Sequence, residues 1–266
     1  MADRSLTLLP AVEPPKKNRY ELPAVLLVGL SRERNSQLKM LMSITLLSKV
    51  DFTGGIHMAN HYRVIDEKTW SRATHCMIFR NSIEPAFCVT FEANITNFKR
   101  KIKEKGFSFT IAMVYAVCKC ANQIEEFRYR FLDGQIVLYD HIDTAFTYLN
   151  PESKLFKVVN VPLIENMAEY VELATKTARE QKEYFTGALG NDVFQCSPMP
   201  WVTYTHISHT NSGKKDNATP LFDWGKFYEK DGNFFIPVSV QAHHSFVDGF
   251  HIGQFVNRLQ NFFDEY

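Results

Sequence analysis

The chain has 266 residues, 45% hydrophobic and 22% charged, and its 30 basic and 29 acidic side chains leave a formal net charge of +1. These values fit an ordinary globular protein of one large domain, or one domain with an appendage. They carry no electrostatic footprint for nucleic acid or an anionic membrane as partner.

In chain order, residues 1–57 read differently from the rest. Pro10, Pro14, Pro15 and Pro23 and the cluster Lys16-Lys17-Asn18-Arg19 break any long element. The apolar run Leu22–Leu30 has too long a charged lead, and no clean small-residue cleavage site follows it, so it does not read as a signal peptide. Disorder, or a start codon assigned too early, is the expectation for residues 1–57, with Met58 a credible true start and 58–266 the functional domain.

Beyond Asn60 the patterning is continuous. Phe87–Asn94 is a candidate strand. Phe109–Ile124 places Ile111, Val114, Tyr115 and Cys118 at helical spacing and predicts a buried helix. Gln135–His141 and Thr144–Leu149 predict strands. Glu165–Phe185 predicts a helix with Tyr170, Leu173, Thr177 and Tyr184 along its apolar side.

Phe222–Tyr228 and Asn233–Ala242 flank Glu229-Lys230-Asp231-Gly232, a hairpin signal, and the second arm turns Ile236, Val238, Val240 and Ala242 inward. The last segment carries Ile252, Phe255, Val256, Leu259, Phe262 and Phe263, the stripe of a packed helix. Strands and helices alternate without a repeat, and the hairpin argues against a purely parallel sheet. With 22 Phe in the chain, core and pocket are expected to be rich in rings.

Five cysteines (Cys76, Cys88, Cys118, Cys120, Cys196) make no paired framework and read as thiols of a reducing, cytoplasmic compartment. Cys118-Lys119-Cys120 lacks the second pair that a zinc site needs. No apolar run approaches the roughly eighteen residues of a membrane span. There is no G-x-S-x-G elbow, no Cys–His catalytic motif and no glycine-rich phosphate loop.

The stretch that carries chemistry is Gln241-Ala242-His243-His244-Ser245-Phe246-Val247-Asp248-Gly249-Phe250-His251, where a strand gives way to a helix. Adjacent histidines at a strand end point to opposite faces, so one at most enters a given cleft. A neutral imidazole near pH 7 is suited to take a proton from a hydroxyl, and Asp248 stands close enough to order the turn. One core and one surface histidine is the plainer reading. A metal site built from His243, His244, Asp248 and His251 matches no standard zinc spacing, and no metal is expected.

The string H-H-x-x-x-D-G-F-H resembles the signature of the chloramphenicol acetyltransferases. Its H-H-x-x-x-D-G part is shared with the acyltransferase core of 2-oxo acid dehydrogenases and with peptide-synthetase condensation domains. The resemblance runs from about Tyr62 to Phe263. It includes Trp70-Ser71-Arg72, the helix through Glu126-Phe127-Arg128, the D-x-x-F-T strand Asp143–Thr147, and Ser197-Pro198-Met199-Pro200-Trp201.

The resemblance implies a two-layer α/β sandwich with a mixed β-sheet, assembled as a homotrimer with active sites between subunits. It implies acetyl-CoA as co-substrate and a small hydroxylated acceptor, with His244 as general base and Ser197 donating to the oxyanion. Arg72 and Asp248 would form a buried ion pair that holds the turn. Phe79 stands where the family usually has a tyrosine that binds the antibiotic, and Asp223 where a threonine is common. Phe87, Phe146 and Tyr148 are candidates to line an aromatic acceptor pocket. Two rivals stay open: a dihydrolipoyl acyltransferase core, although residues 1–57 show no lipoyl domain, and a binding protein that kept the fold and lost catalysis.

Overall fold

The computed structural model describes residues 60–185, 190–209, 213–214 and 216–266, together with the backbone of 49–50 and 56–57. The backbone of Lys49–Val50 (β1) pairs antiparallel with Ile56–His57 (β2). The rest of residues 1–57, and the expected boundary at Met58, lie outside the described residues.

The main sheet has seven strands and is mixed. Its long central strand Asn233–His243 (β12) is flanked on one side by Ala86–Asn94 (β4), antiparallel over the full length of β4. On the other side lie Leu221–Trp224 (β10) and Tyr228–Lys230 (β11), both antiparallel to β12. The order then continues through Val193–Cys196 (β9), parallel to β10, Asp143–Leu149 (β7), parallel to β9, and Phe156–Val161 (β8), antiparallel to β7. A separate three-stranded antiparallel sheet joins Tyr62–Val64 (β3), Gln135–Tyr139 (β6) and Tyr129–Leu132 (β5).

The helices Thr96–Glu104 (α2), Phe109–Asn122 (α3), Met167–Glu180 (α4) and Gly249–Glu265 (α5) pack together and cover one face of the main sheet. Ala73–Arg80 (α1) precedes β4. The result is the two-layer α/β arrangement expected from the sequence.

The predicted strand Phe222–Tyr228 is divided in two by Gly225. A Cβ at Gly225 would stand 2.7 Å from the Val202 carbonyl oxygen and 2.8 Å from Pro237 Cγ, because the chain after β9 folds back against this point. Lys226 N–H also donates to the Val202 carbonyl at 2.8 Å. Only a residue without a side chain allows so close a backbone approach. In the following hairpin, Asp231 and Gly232 both have positive φ, 51° and 76°. That is the requirement of a two-residue type I′ turn, which matches the twist of the paired strands.

Helix α4 stops at Glu180, short of the expected Phe185, and buries Met167, Tyr170, Val171, Ala174 and Ala178. Leu173 and Tyr184 are exposed, so the apolar side follows the small alanines one and two turns beyond Tyr170. Bulky residues dominated the sequence pattern although alanine lets the helix approach the sheet most closely. Tyr170 anchors the packing through a 2.7 Å hydroxyl–hydroxyl bond with Thr144 of β7.

The helix-facing side of the sheet is apolar. Phe222, Trp224, Ile236, Val238 and Val240 have almost no exposed surface, and Phe255 of α5, fully buried, packs on Phe222. Alternation along the strands therefore sends their neighbours Asp223 and Ser239 to the opposite face. Residues 197–209 return across that face. Cys88 Sγ donates to the Ile207 carbonyl at 3.1 Å, and Thr203 Oγ1 donates to the Lys226 carbonyl at 2.7 Å.

Candidate active site

His244 follows the last residue of β12, and its N–H donates to the Pro85 carbonyl at 2.8 Å, just before β4 begins. This bond fixes the backbone where strand pairing ends. The imidazole lies flat on Phe79 of α1, ring centroids 3.9 Å apart and planes 7° apart, and Phe87 of β4 approaches at 4.7 Å. Its Nδ1 is shielded from solvent and has no hydrogen-bond partner among the described residues. Stacked rings restrict χ2, so the imidazole is held in one orientation by packing. His243 turns the other way, into a buried nest with Phe131 and Phe246, and its Nδ1 accepts from Ser245 N–H at 3.2 Å.

Asp248 is the N-cap of α5. Its Oδ1 accepts from Phe250 N–H at 3.0 Å, while its own N–H donates to His251 Nδ1 at 3.1 Å, closing a reciprocal capping box. Oδ2 accepts from Arg72 at 3.0 Å. The pair is less enclosed than the sequence suggested, with 14% of the Arg72 side chain and 29% of the Asp248 side chain exposed. It sits at a helix terminus, where capping keeps the carboxylate near the surface. Desolvation raises the Asp248 pKa, but the Arg72 hydrogen bond and the charges of His251 and Arg72 outweigh it and hold the carboxyl below its ordinary value.

His251 also reaches Glu126 at 3.4 Å, and that hydrogen bond is the main cause holding Glu126 below the usual carboxylate range. A chain Arg72–Asp248–His251–Glu126 thus ties the turn after His244 to the 3₁₀ turn Glu125–Arg128. The roles of His251 and Glu126 were not read from the sequence, although both stand within the motifs quoted above. A histidine three residues after an N-cap aspartate was the available signal.

Ser197 lies immediately beyond β9, and its N–H donates to the Phe222 carbonyl at 2.9 Å. It lines a cavity of about 690 Å³ with Thr147, Tyr148, Met199 and Trp201. Neither His244 nor Phe79 nor Phe87 lines that cavity, and the strand register sets Ser197 near Ser239 while His244 lies beyond the far end of β12. The candidate pocket rings are likewise divided. Phe87 stands against His244, Tyr148 lines the Ser197 cavity, and Phe146 is 0% exposed in the core. Phe146 has no face to offer a ligand, because its position in β7 points to the helices.

Asp223 is 1% exposed on the outer face of the sheet. The Nε2 of His209 stands 2.7 Å from its Oδ2. Burial raises the Asp223 pKa, and the bond to Asp223 raises that of His209. Among the described residues, no group of three or more His, Cys, Asp or Glu is arranged to hold a metal ion.

Comparison with known proteins shows the family. The family profile described as chloramphenicol acetyltransferase matches residues 60–260. "Chloramphenicol acetyltransferase 2" of Escherichia coli is 30% identical over 200 residues, 74% of this chain and 94% of the relative. The protein of the same name from Haemophilus influenzae is 31% identical over the same shares. A solved chloramphenicol acetyltransferase superposes with a TM-score of 0.70 at 26% identity, over 76% of this chain and 100% of the other. The cubic core of the pyruvate dehydrogenase multienzyme complex shares the fold alone, with a TM-score of 0.53 and 17% identity over 80% of this chain and 94% of that one. The family match and these relatives define an acyltransferase. The chain belongs to the chloramphenicol acetyltransferase family.

Proposed function

We propose that this chain transfers the acetyl group of acetyl-CoA to a hydroxyl of chloramphenicol or a similar small acceptor, with His244 as general base. The observation that carries the proposal is the held imidazole, stacked on Phe79 with Nδ1 shielded, at the end of a strand whose following turn is tied down by Arg72 and Asp248. A fixed base pre-organised for one proton contributes typically about 10²- to 10⁴-fold to a transfer.

In this reading His244 takes the acceptor's hydroxyl proton as the oxygen bonds to the thioester carbonyl carbon. Ser197 donates to the oxygen that becomes negative. The carbon–sulfur bond then breaks, and the proton passes from the imidazolium to the departing sulfur, giving the acetyl ester and the free thiol. Arg72 and Asp248 act by holding the turn.

His244 does not line the Ser197 cavity, which supports a site completed by a second copy. The proposal includes a homotrimer with sites between subunits. Exposed apolar residues accompany both halves: Met77, Ile78 and Ile83 near Phe79, and Trp201, Leu149 and Phe156 around the Ser197 cavity. Surfaces of this kind mark contacts with another protein chain. The proposal further places the enzyme in the cytoplasm, in keeping with five free cysteines.

The test is thiol release by the purified protein with acetyl-CoA and a panel of hydroxylated acceptors that includes chloramphenicol. Stoichiometric thiol and acetyl ester support the reading. Release with another acceptor and none with chloramphenicol would keep the transfer and discard the antibiotic. The buried carboxylate of Asp223 beside Ser197 is the observation that favours such a different acceptor.

A further inference from the structure

Across the outer face of the sheet runs a row of polar side chains that the strand register aligns. Thr90 pairs with Ser239, and Ser239 with Asp223. Beyond β10 the register Phe222–Cys196 continues into the bond from Ser197 N–H to the Phe222 carbonyl. Ser197 and Asp223 are therefore neighbours on adjacent parallel strands, both on the face away from the helices.

Thr90 and Ser239 satisfy each other through a 2.6 Å hydroxyl contact. Asp223 is different, since both its oxygens are buried without a well-formed hydrogen bond among the described residues, and Oδ2 has the 2.7 Å ion-pair contact with His209 Nε2. Among the described residues, the groups around the carboxylate are the neutral Ser239 from β12, Cys88 from β4 and Tyr204 from the returning segment, with His209 from that same segment as the cation.

A buried carboxylate without a counter-charge has two consequences for the serine beside it. Its negative charge opposes any negative charge that develops at the serine's partner, and its lone pairs compete for the serine proton. At about 5–7 Å and an effective dielectric constant near 20, the repulsion amounts to roughly fifty- to three-hundredfold in rate.

We propose that His209 is a positioning residue for acetyl transfer. As an imidazolium against Asp223 Oδ2, it neutralises the carboxylate and leaves the Ser197 hydroxyl free for the reacting oxygen. The inference rests on the role given to Ser197 under Proposed function. It assigns work to a histidine that no sequence motif contains, at the end of the described segment 197–209 that lies over this face. The raised pKa of His209 is consistent with the pairing.

The experiment compares wild type, His209→Gln, Asp223→Asn and the double variant at pH 7 with acetyl-CoA and the best acceptor of the panel. Gln keeps a donor near Nε2 and removes the charge. His209→Gln is expected to lower kcat by about tenfold or more, with KM changed by less than about threefold. Adding Asp223→Asn is expected to restore kcat to within roughly fivefold of wild type, since the carboxylate that needed compensation is gone.

A merely structural contact predicts the opposite, with the double variant no better than His209→Gln, and that result overturns the proposal. The pairing is read independently of turnover by NMR titration of the His209 imidazole. Its midpoint should lie above the ordinary histidine value in wild type and fall in Asp223→Asn, whereas an equal midpoint in both also overturns it. Absence of transfer by wild type together with a shifted midpoint would fault the activity and the role of Ser197 while leaving the ion pair standing.

Discussion

Substitution of Asp248 separates two contributions that meet in one carboxylate. Oδ1 caps α5 through Phe250 N–H, and Oδ2 binds Arg72. Asn caps a helix about as well as Asp, while Ala leaves the first-turn donors unmatched at a cost of typically ~1 kcal/mol. The ion pair is partly exposed, so its own contribution falls in the range of about 0.2–1 kcal/mol. Arg72 adds to this, because its Nε and second terminal nitrogen are buried without partners, and loss of Asp248 would strand the remaining charge. Asp248→Asn is therefore expected to cost about 0.5–1 kcal/mol, and Asp248→Ala about 1.5–2.5 kcal/mol.

Urea unfolding of both variants measures the difference. Thermal unfolding should follow at roughly 2–4 °C per kcal/mol for a domain of this size. In Arg72→Ala/Asp248→Ala the loss should be smaller than the sum of the single losses, because no charge is left unpaired. Equal destabilisation by Asn and Ala would show that the cap contributes nothing and would refute this partition.

Two further outcomes can be checked. Phe79→Tyr adds a hydroxyl to the ring stacked on His244, and one neutral hydrogen bond to the acceptor would lower the KM for chloramphenicol by roughly three- to tenfold with little change in kcat; an unchanged KM would place that ring's edge away from the acceptor. A chain beginning at Met58 should fold, associate and transfer as the full chain does. Light scattering and turnover test this, and loss of either property would make residues 1–57 structural.

Much of the fold was legible because it rests on strong local signals. The stripe from Ile252 to Phe263 and the Asp231-Gly232 turn each have a single physical interpretation, and both elements formed where expected. The apolar side of α4 was misjudged because Ala174 and Ala178 carry little hydrophobic weight in a pattern but pack closely against the sheet. The break at Gly225 depends on Val202, far away in sequence, and no local pattern encodes that approach.

The site divides similarly. Arg72 and Asp248 were named from motif resemblance and meet at 3.0 Å, although nearer the surface than expected. Phe146 was placed in the pocket on its aromatic character alone, and burial shows it to be core. His209 gave no signal, since it lies in an unpatterned segment and reaches Asp223 only through the chain's return across the sheet.

The central claim is tested most directly by the steady-state kinetics of His244→Ala beside His243→Ala, each with a circular-dichroism and unfolding check. The account predicts that His244→Ala remains folded and loses about 10²- to 10⁴-fold or more in kcat for thiol release from acetyl-CoA. It predicts that His243→Ala, whose ring packs on Phe131 and Phe246, loses stability before it loses chemistry. Turnover by folded His244→Ala comparable to wild type would contradict it.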